Sequence, residues 1–108
     1  MANLRKWLED ASAKIGQPFE AIVVGPHYKA AYSAIPLSDE NCILPAEAAL
    51  AKLDQEFDDG FGGGDCFPFL AWTRTRVYFV HEYDGAVSLV WVPRGPITVI
   101  PEFGGLST

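Results

Sequence analysis

The stretch RVYFVHEYDGAVSLVWVP, residues 76–93, decides the fold. Two runs rich in β-branched and aromatic residues flank Asp84-Gly85, and such a pair between two strands is the strongest short signal for a β-hairpin. A two-residue turn at this pair places Tyr83 opposite Ala86. The rest of the register follows, because successive side chains of a strand point to opposite faces of the sheet. We therefore predict strands at 76–83 and 86–92.

This register divides the side chains of the hairpin into two sets. One set consists of the pairs Tyr83–Ala86, His81–Ser88, Phe79–Val90 and Val77–Val92. The other consists of the pairs Arg76–Pro93, Tyr78–Trp91, Val80–Leu89 and Glu82–Val87. Because the first set holds the small and β-branched residues, we expect it to pack against helices. The second set would then form an exposed patch around Tyr78 and Trp91 that suits partner binding, unless both faces are covered and Trp91 belongs to the core.

Helices and further strands surround the hairpin in the sequence pattern. Helical spacing of apolar residues predicts a helix over 4–15, with Asn3 as its N-cap and Gly16 as its left-handed stop. The other predicted elements are strands at 19–24, 28–34 and 67–72, a helix over 45–57 and an edge strand at 97–100. The order α-β-(β)-α-β-β-β-(β) predicts an α+β fold, with an antiparallel sheet of four to five strands and two helices on one face. Residues 104–108 are expected to fray.

The composition narrows the classes of protein that this chain can represent. It has 108 residues, of which 49% are hydrophobic, and 14 acidic against 8 basic side chains give a formal net charge of −6. We expect one globular domain over 1–108 that binds no nucleic acid directly, because contacts to phosphate need a cationic surface. No signal peptide and no span of ~20 apolar residues is evident, so we expect no membrane contact and a cytoplasmic location. Cys42 and Cys66 are expected to be reduced and buried, with a disulfide left open for an oxidising compartment.

The negative charge is concentrated in one segment of the chain. Residues 53–73 contain no Lys or Arg, and their five acids are Asp54, Glu56, Asp58, Asp59 and Asp65. The neighbouring run GFGGG at 60–64 lacks the lysine of a phosphate-binding loop, and the acids would repel phosphate. With Gly60 as the sixth residue of a calcium loop, Gln55 and Phe57 occupy positions that need acids. We therefore expect no cofactor and no metal, with a divalent site of another geometry as the alternative.

Such a segment indicates binding to a basic protein, because concentrated negative charge steers and accelerates the encounter with a basic surface. We expect a non-enzymatic protein that inhibits or neutralises a basic partner. An immunity protein or an anti-defence inhibitor acts in this way on a nuclease or another nucleic-acid-handling enzyme, with carboxylates in place of phosphates. The expected partner-binding residues are Asp54, Glu56, Asp58, Asp59 and Asp65 for charge, and Phe61, Tyr78 and Trp91 for apolar contact.

Three alternatives remain open at this point. The chain could be a small-ligand-binding or enzymatic module, with a pocket near Cys66, His81 and Arg94 in which the thiolate and the imidazole act as nucleophile and base. A histidine satisfied within the core is the competing interpretation of His81. The aromatic sheet face around Tyr78 and Trp91 could instead join two copies into a structural homodimer. Finally, the acids could serve solubility alone.

Overall fold

The protein is described by a computed structural model that covers residues 2–26, 41–60, 66–101 and 104–108. Two helices, α1 (Leu4–Ile15) and α2 (Ala46–Lys52), accompany the strands of these ranges. The strands are β1 (Ala2–Asn3), β2 (Ala21–Val24), β3 (Ile43–Leu44), β4 (Glu56–Phe57), β5 (Phe69–Trp72), β6 (Arg76–Tyr83), β7 (Ala86–Pro93) and β8 (Leu106–Ser107). The main sheet has the antiparallel order β3-β2-β5-β6-β7-β8, and β1 pairs with β4 separately. The predicted α+β class is confirmed, with six strands in the main sheet rather than four to five.

The hairpin of β6 and β7 has the register that the sequence predicts. All eight predicted cross-strand pairs are present, from Tyr83–Ala86 at the turn to Arg76–Pro93 at the open end. Asp84 and Gly85 have φ values of 51° and 82°. Positive φ at both central residues is the requirement of a type I′ turn, which matches the twist of the flanking strands. The local signal was therefore sufficient to fix the pairing.

The side chains that face the helices are the opposite set from the one we predicted. Tyr78 is 0% exposed and belongs to one core cluster with Val87, Leu89, Leu8 of α1 and Leu50 of α2. The neighbouring strands explain this choice. The apolar residues of β2 and β5 that align with Tyr78 are Ile22, Val24, Phe69 and Ala71. Both sets of the hairpin are apolar, so the alternation within it did not reveal which face the helices cover.

The first helix has the predicted bounds, whereas the second is shorter than predicted. The side chain of Asn3 accepts a hydrogen bond from Lys6 N at 3.1 Å, and Gly16 ends α1 with a φ of 66°. Helix α2 ends at Lys52 instead of continuing to residue 57. The reason is that Phe57 pairs with Ala2 in the β1–β4 ribbon, which requires extended backbone. Neither helix in the described ranges is long and apolar enough to cross a membrane.

The C-terminal residues form an edge strand, in contrast to the expectation that they fray. Strand β8 pairs with Val90 and Trp91 of β7, and 97–100 does not form the edge strand that we predicted. Gly104 and Gly105 lead into β8 with φ values of 96° and 101°, a backbone conformation that favours glycine. Of the other predicted strands, the one at 28–34 lies outside the described residues.

Candidate partner-binding site

Four carboxylates lie on and beside β4, and we call Asp54, Glu56, Asp58 and Asp59 the acidic segment. Its anchor is Phe57, which is 3% exposed and meets the ring of Trp7 edge-to-face, with 5.5 Å between the ring centroids. Because alternate side chains of a strand point in opposite directions, the burial of Phe57 turns its neighbours Glu56 and Asp58 outward. Both are exposed. The acidic segment therefore presents its charges from a backbone that is fixed by a core aromatic residue.

Asn3 connects the acidic segment to the start of α1. Its backbone pairs with that of Glu56 in the β1–β4 ribbon. Its side-chain amide donates to Asp54 Oδ1 at 2.9 Å, while the amide oxygen of the same side chain caps the helix at Lys6 N. One side chain thus satisfies an otherwise unpaired N–H of the helix and orients a carboxylate of the segment.

Arg5 forms an ion pair with Asp54, and its charge is divided among three carboxylates. Its guanidinium lies 3.0 Å from Glu9, 2.8 Å from Glu47 and 3.9 Å from Asp54. The hydrogen bond with Glu9 is the main cause that raises the pKa of Arg5 above its ordinary value, and Glu47 adds to it. Within the described ranges no ion pair links Glu56, Asp58 or Asp59 to a basic side chain. The acidic segment therefore keeps most of its negative charge.

Besides Asp54, two more of the four residues of the acidic segment have structural contacts. The Oδ1 atom of Asp58 accepts a hydrogen bond from Gly60 N at 2.9 Å, which closes a small turn after β4. The backbone oxygen of Asp59 accepts from Val87 N at 2.9 Å and thereby ties the segment to β7. Glu56 has neither kind of contact through its side chain, and its carboxylate is exposed. Phe61 and Asp65, which we also predicted as contacts, lie outside the described residues.

Two of the three aromatic residues predicted to contact a partner have structural roles in the fold. Tyr78 is fully buried, with the ring of Phe19 edge-to-face at 5.9 Å and the Arg76 guanidinium donating to its hydroxyl at 3.3 Å. The prediction that Tyr78 binds a partner is wrong. Trp91 is half-buried, and the guanidinium of Arg76 lies 3.8 Å from its ring centroid. Its indole N–H donates to Ser107 O at 3.3 Å, so both a face and the edge of this ring hold the fold together.

The three residues of the alternative pocket do not come together. Arg94 binds Glu20 and the backbone oxygen of Thr73 at 2.7 Å, next to the start of β6. The backbone N–H of Arg94 donates to Thr75 O, so Arg94 lies beside Thr75. His81 is six residues further along the chain, which corresponds to ~20 Å in an extended strand. Cys66 packs against the core on the helix side of the sheet, whereas His81 projects from the other side. A pocket shared by these residues is therefore absent from the described structure.

The structure also shows the exposure of the two cysteines and the arrangement of possible metal ligands. Cys42 is exposed and Cys66 half-buried, so the prediction that both are buried is wrong for Cys42. The two are thiols rather than a shared disulfide. In the part of the chain that the structure describes, no three side chains of His, Cys, Asp or Glu converge on one point as a metal site requires.

One cleft was not anticipated from the sequence. It has a volume of about 490 Å³ and lies between α1 and the edge formed by β7 and β8, with Trp7, Lys14, Leu89 and Thr108 among its lining residues. Strand β8, which forms part of this edge, is only two residues long, and no local pattern indicates its pairing. The cleft is therefore a consequence of long-range contacts.

Comparison with models of protein families, with curated proteins and with solved structures finds no match to this chain. What the protein does is therefore inferred from its own residues.

Proposed function

We propose that this chain is a non-enzymatic binding protein whose acidic segment contacts a basic protein partner. The observation that supports the proposal is the display of Glu56. This carboxylate is exposed, stands beside the buried anchor Phe57, and has no basic side chain paired with it among the described residues. A carboxylate held in this way is available to an arginine or lysine of another protein. Because Phe57 already fixes the backbone, little backbone freedom is lost on binding.

The chemistry of the partner follows from the arrangement of the charges. Glu56 and Asp58 flank the buried Phe57 and project to the same side of the backbone, and side chains two residues apart on a strand lie ~7 Å apart. Neighbouring carboxylates can take the place of phosphates on a basic surface, because arginine and lysine side chains bind both kinds of anion. We therefore propose that the partner is a protein with a surface for nucleic acid, such as a nuclease or toxin. Occupation of that surface by the acidic segment would inhibit it, and cytoplasmic action belongs to the same proposal.

The test compares two charge reversals that change the net charge equally. Glu56→Lys places a cation in the acidic segment. Glu20→Lys is the matched control, because Glu20 is also exposed and its backbone N–H donates to Trp72 O, at the end of the sheet away from the turn at Asp84-Gly85. The wild-type protein is used to capture binding proteins from cells of its source, and the captured protein is then purified. Calorimetry gives its affinity for the wild type and for both variants at several salt concentrations.

The expected partner is basic, and its affinity falls as salt rises because the charges are screened. Glu56→Lys should weaken binding by about 1–3 kcal/mol, which is roughly 5- to 150-fold, while Glu20→Lys should have an effect within about 0.5 kcal/mol. Equal effects of the two variants would show that only net charge matters. That result, or capture of an acidic partner with no dependence on salt, would contradict the proposal.

A further inference from the structure

The cleft between α1 and the edge formed by β7 and β8 lies directly beside the acidic segment. Two of the residues that line the cleft make this connection. Trp7 meets the ring of Phe57 in β4, with 5.5 Å between the ring centroids. The backbone N–H of Val87 donates to Asp59 O at 2.9 Å. A protein that docks on the acidic segment is therefore adjacent to the cleft.

The floor of the cleft is apolar and its rim is exposed. Ala11, Val87 and Leu89 on the floor are each 7% exposed, whereas Asp10 and Lys14 on the rim are exposed. The volume of about 490 Å³ is comparable to that of small-molecule sites, but those sites bury roughly 70–90% of the ligand surface. A cleft with an apolar floor and an exposed rim better suits a side chain that projects from the surface of another protein.

The charges along the rim give the cleft a direction. Asp10 and Lys14 form no ion pair within the described ranges. Trp7, Asp10 and Lys14 follow one another along ~10 Å of α1, and the acidic segment lies at the end marked by Trp7. That end of the cleft is therefore negative, and the single positive charge of Lys14 is at the other end. An occupant complements this pattern when a cation stands next to its apolar group.

We propose that the cleft receives an aromatic side chain of the basic partner, next to a lysine or arginine that pairs with Asp10. This inference rests on the proposed function and adds the apolar contact that it lacks. Interfaces gain most of their binding energy from a few desolvated side chains, which are often aromatic, inside a polar rim. The ring of Trp7 offers an aromatic contact to such a side chain. A second copy of this chain fits less well, because its net charge of −6 brings like charges to this side of the molecule.

An NMR titration of the isotope-labelled protein with three capped tripeptides tests the proposal. Lys-Phe-Lys has the ring and the charges, Lys-Gly-Lys lacks the ring, and Gln-Phe-Gln lacks the charges. Chemical-shift changes locate each peptide and give its affinity. The amide signals of Ala11, Val87 and Leu89 and the indole signal of Trp7 report on the cleft. The amide signal of Ile43, in the edge strand at the other side of the main sheet, is the distant reference.

We expect Lys-Phe-Lys to shift the signals of the cleft with a Kd of about 1 mM. Lys-Gly-Lys should bind about tenfold more weakly or worse, because burial of the ring is lost. Gln-Phe-Gln should bind about fivefold more weakly at low salt, and the difference should shrink as salt rises. Asp10→Lys should weaken the binding of Lys-Phe-Lys by about fivefold or more, while the control Glu20→Lys should have an effect within about twofold. Asp10 and Glu20 are both exposed, and circular dichroism verifies that the variants are folded.

Three results would overturn the proposal: no binding of Lys-Phe-Lys up to about 10 mM, shifts that map outside the cleft, or equal affinities of Lys-Phe-Lys and Lys-Gly-Lys. Equal affinities of Gln-Phe-Gln and Lys-Phe-Lys would also overturn it, because they would indicate a site for neutral small molecules. The peptides are independent of the captured partner. If Glu56→Lys weakens that partner while the peptides avoid the cleft, only this inference fails. If Glu56→Lys has no effect on the partner, the proposed function fails whatever the peptides do.

Discussion

The substitution Gly104→Ala adds a single methyl group at a position where its effect on stability can be worked out from the structure. A Cβ atom there would lie 2.7–2.8 Å from three atoms of the His81 ring, closer than Cβ atoms approach other heavy atoms. The φ of Gly104 is also +96°, which costs a residue with a Cβ about 1–2 kcal/mol. Overpacking against the ring adds about 1–3 kcal/mol. We therefore expect Gly104→Ala to lower the free energy of unfolding by about 2–5 kcal/mol.

A double-mutant cycle with His81→Ala separates the two causes. Removal of the imidazole relieves the overpacking but leaves the backbone strain, so Gly104→Ala should cost only about 1–2 kcal/mol in this background. The double variant should therefore be more stable, by about 1–3 kcal/mol, than the sum of the two single costs would give. Urea unfolding of the four proteins, followed by circular dichroism, measures these free energies.

A local measurement is also needed, because the C-terminal residues could detach from the sheet without global unfolding of the protein. The indole N–H of Trp91 donates to Ser107 O, so its NMR resonance and its hydrogen exchange report whether β8 is in place. Gly104→Ala should shift this resonance and accelerate the exchange, and His81→Ala should reverse part of the effect. A cost below about 0.5 kcal/mol with an unchanged indole signal, or a coupling within the same limit, would refute the close contact between Gly104 and His81.

Two further substitutions test the support of the acidic segment. Asn3→Ala removes the N-cap at Lys6 N and the hydrogen bond to Asp54, so we expect a loss of about 1–2 kcal/mol in urea unfolding; a loss below about 0.3 kcal/mol would contradict the capping role. Phe57→Ala removes a ring that is 3% exposed and in contact with Trp7, so thermal and urea unfolding should report a loss of about 3–5 kcal/mol. Phe57→Leu should recover most of that stability, and failure to do so would point to a specific need for the aromatic contact.

Elements with strong local signals could be predicted from the sequence to within a residue or so. The hairpin follows from Asp84-Gly85, since only a turn with two positive φ values fits this pair between two strands. Helix α1 follows from its apolar stripe together with Asn3 and Gly16, which act as its caps. In each case the residues that determine the structure are close together in the chain, so no long-range contact is needed to find it.

The orientation of the sheet depends on contacts that the hairpin alone does not contain. Val77, Phe79 and Val90 on one face are as apolar as Tyr78 and Leu89 on the other. The choice is made by packing: Ala71 pairs with Tyr78 on the helix side, and the small methyl leaves space beside the large ring. Both faces of this sheet resemble a core, so periodicity predicts two buried faces while the helices cover only one.

Short paired segments were the other features that the sequence did not reveal. The two-residue strands β1, β4 and β8 are fixed by partners distant in the chain, such as Ala2 with Phe57 and Trp91 with Leu106. The apolar residue Phe57 fits the apolar side of a helix, but it fits equally well a short strand that buries its ring, so the pattern alone does not distinguish the two. For the same reason the acids of the segment could be counted from the sequence, but the outward display of Glu56 could not be deduced.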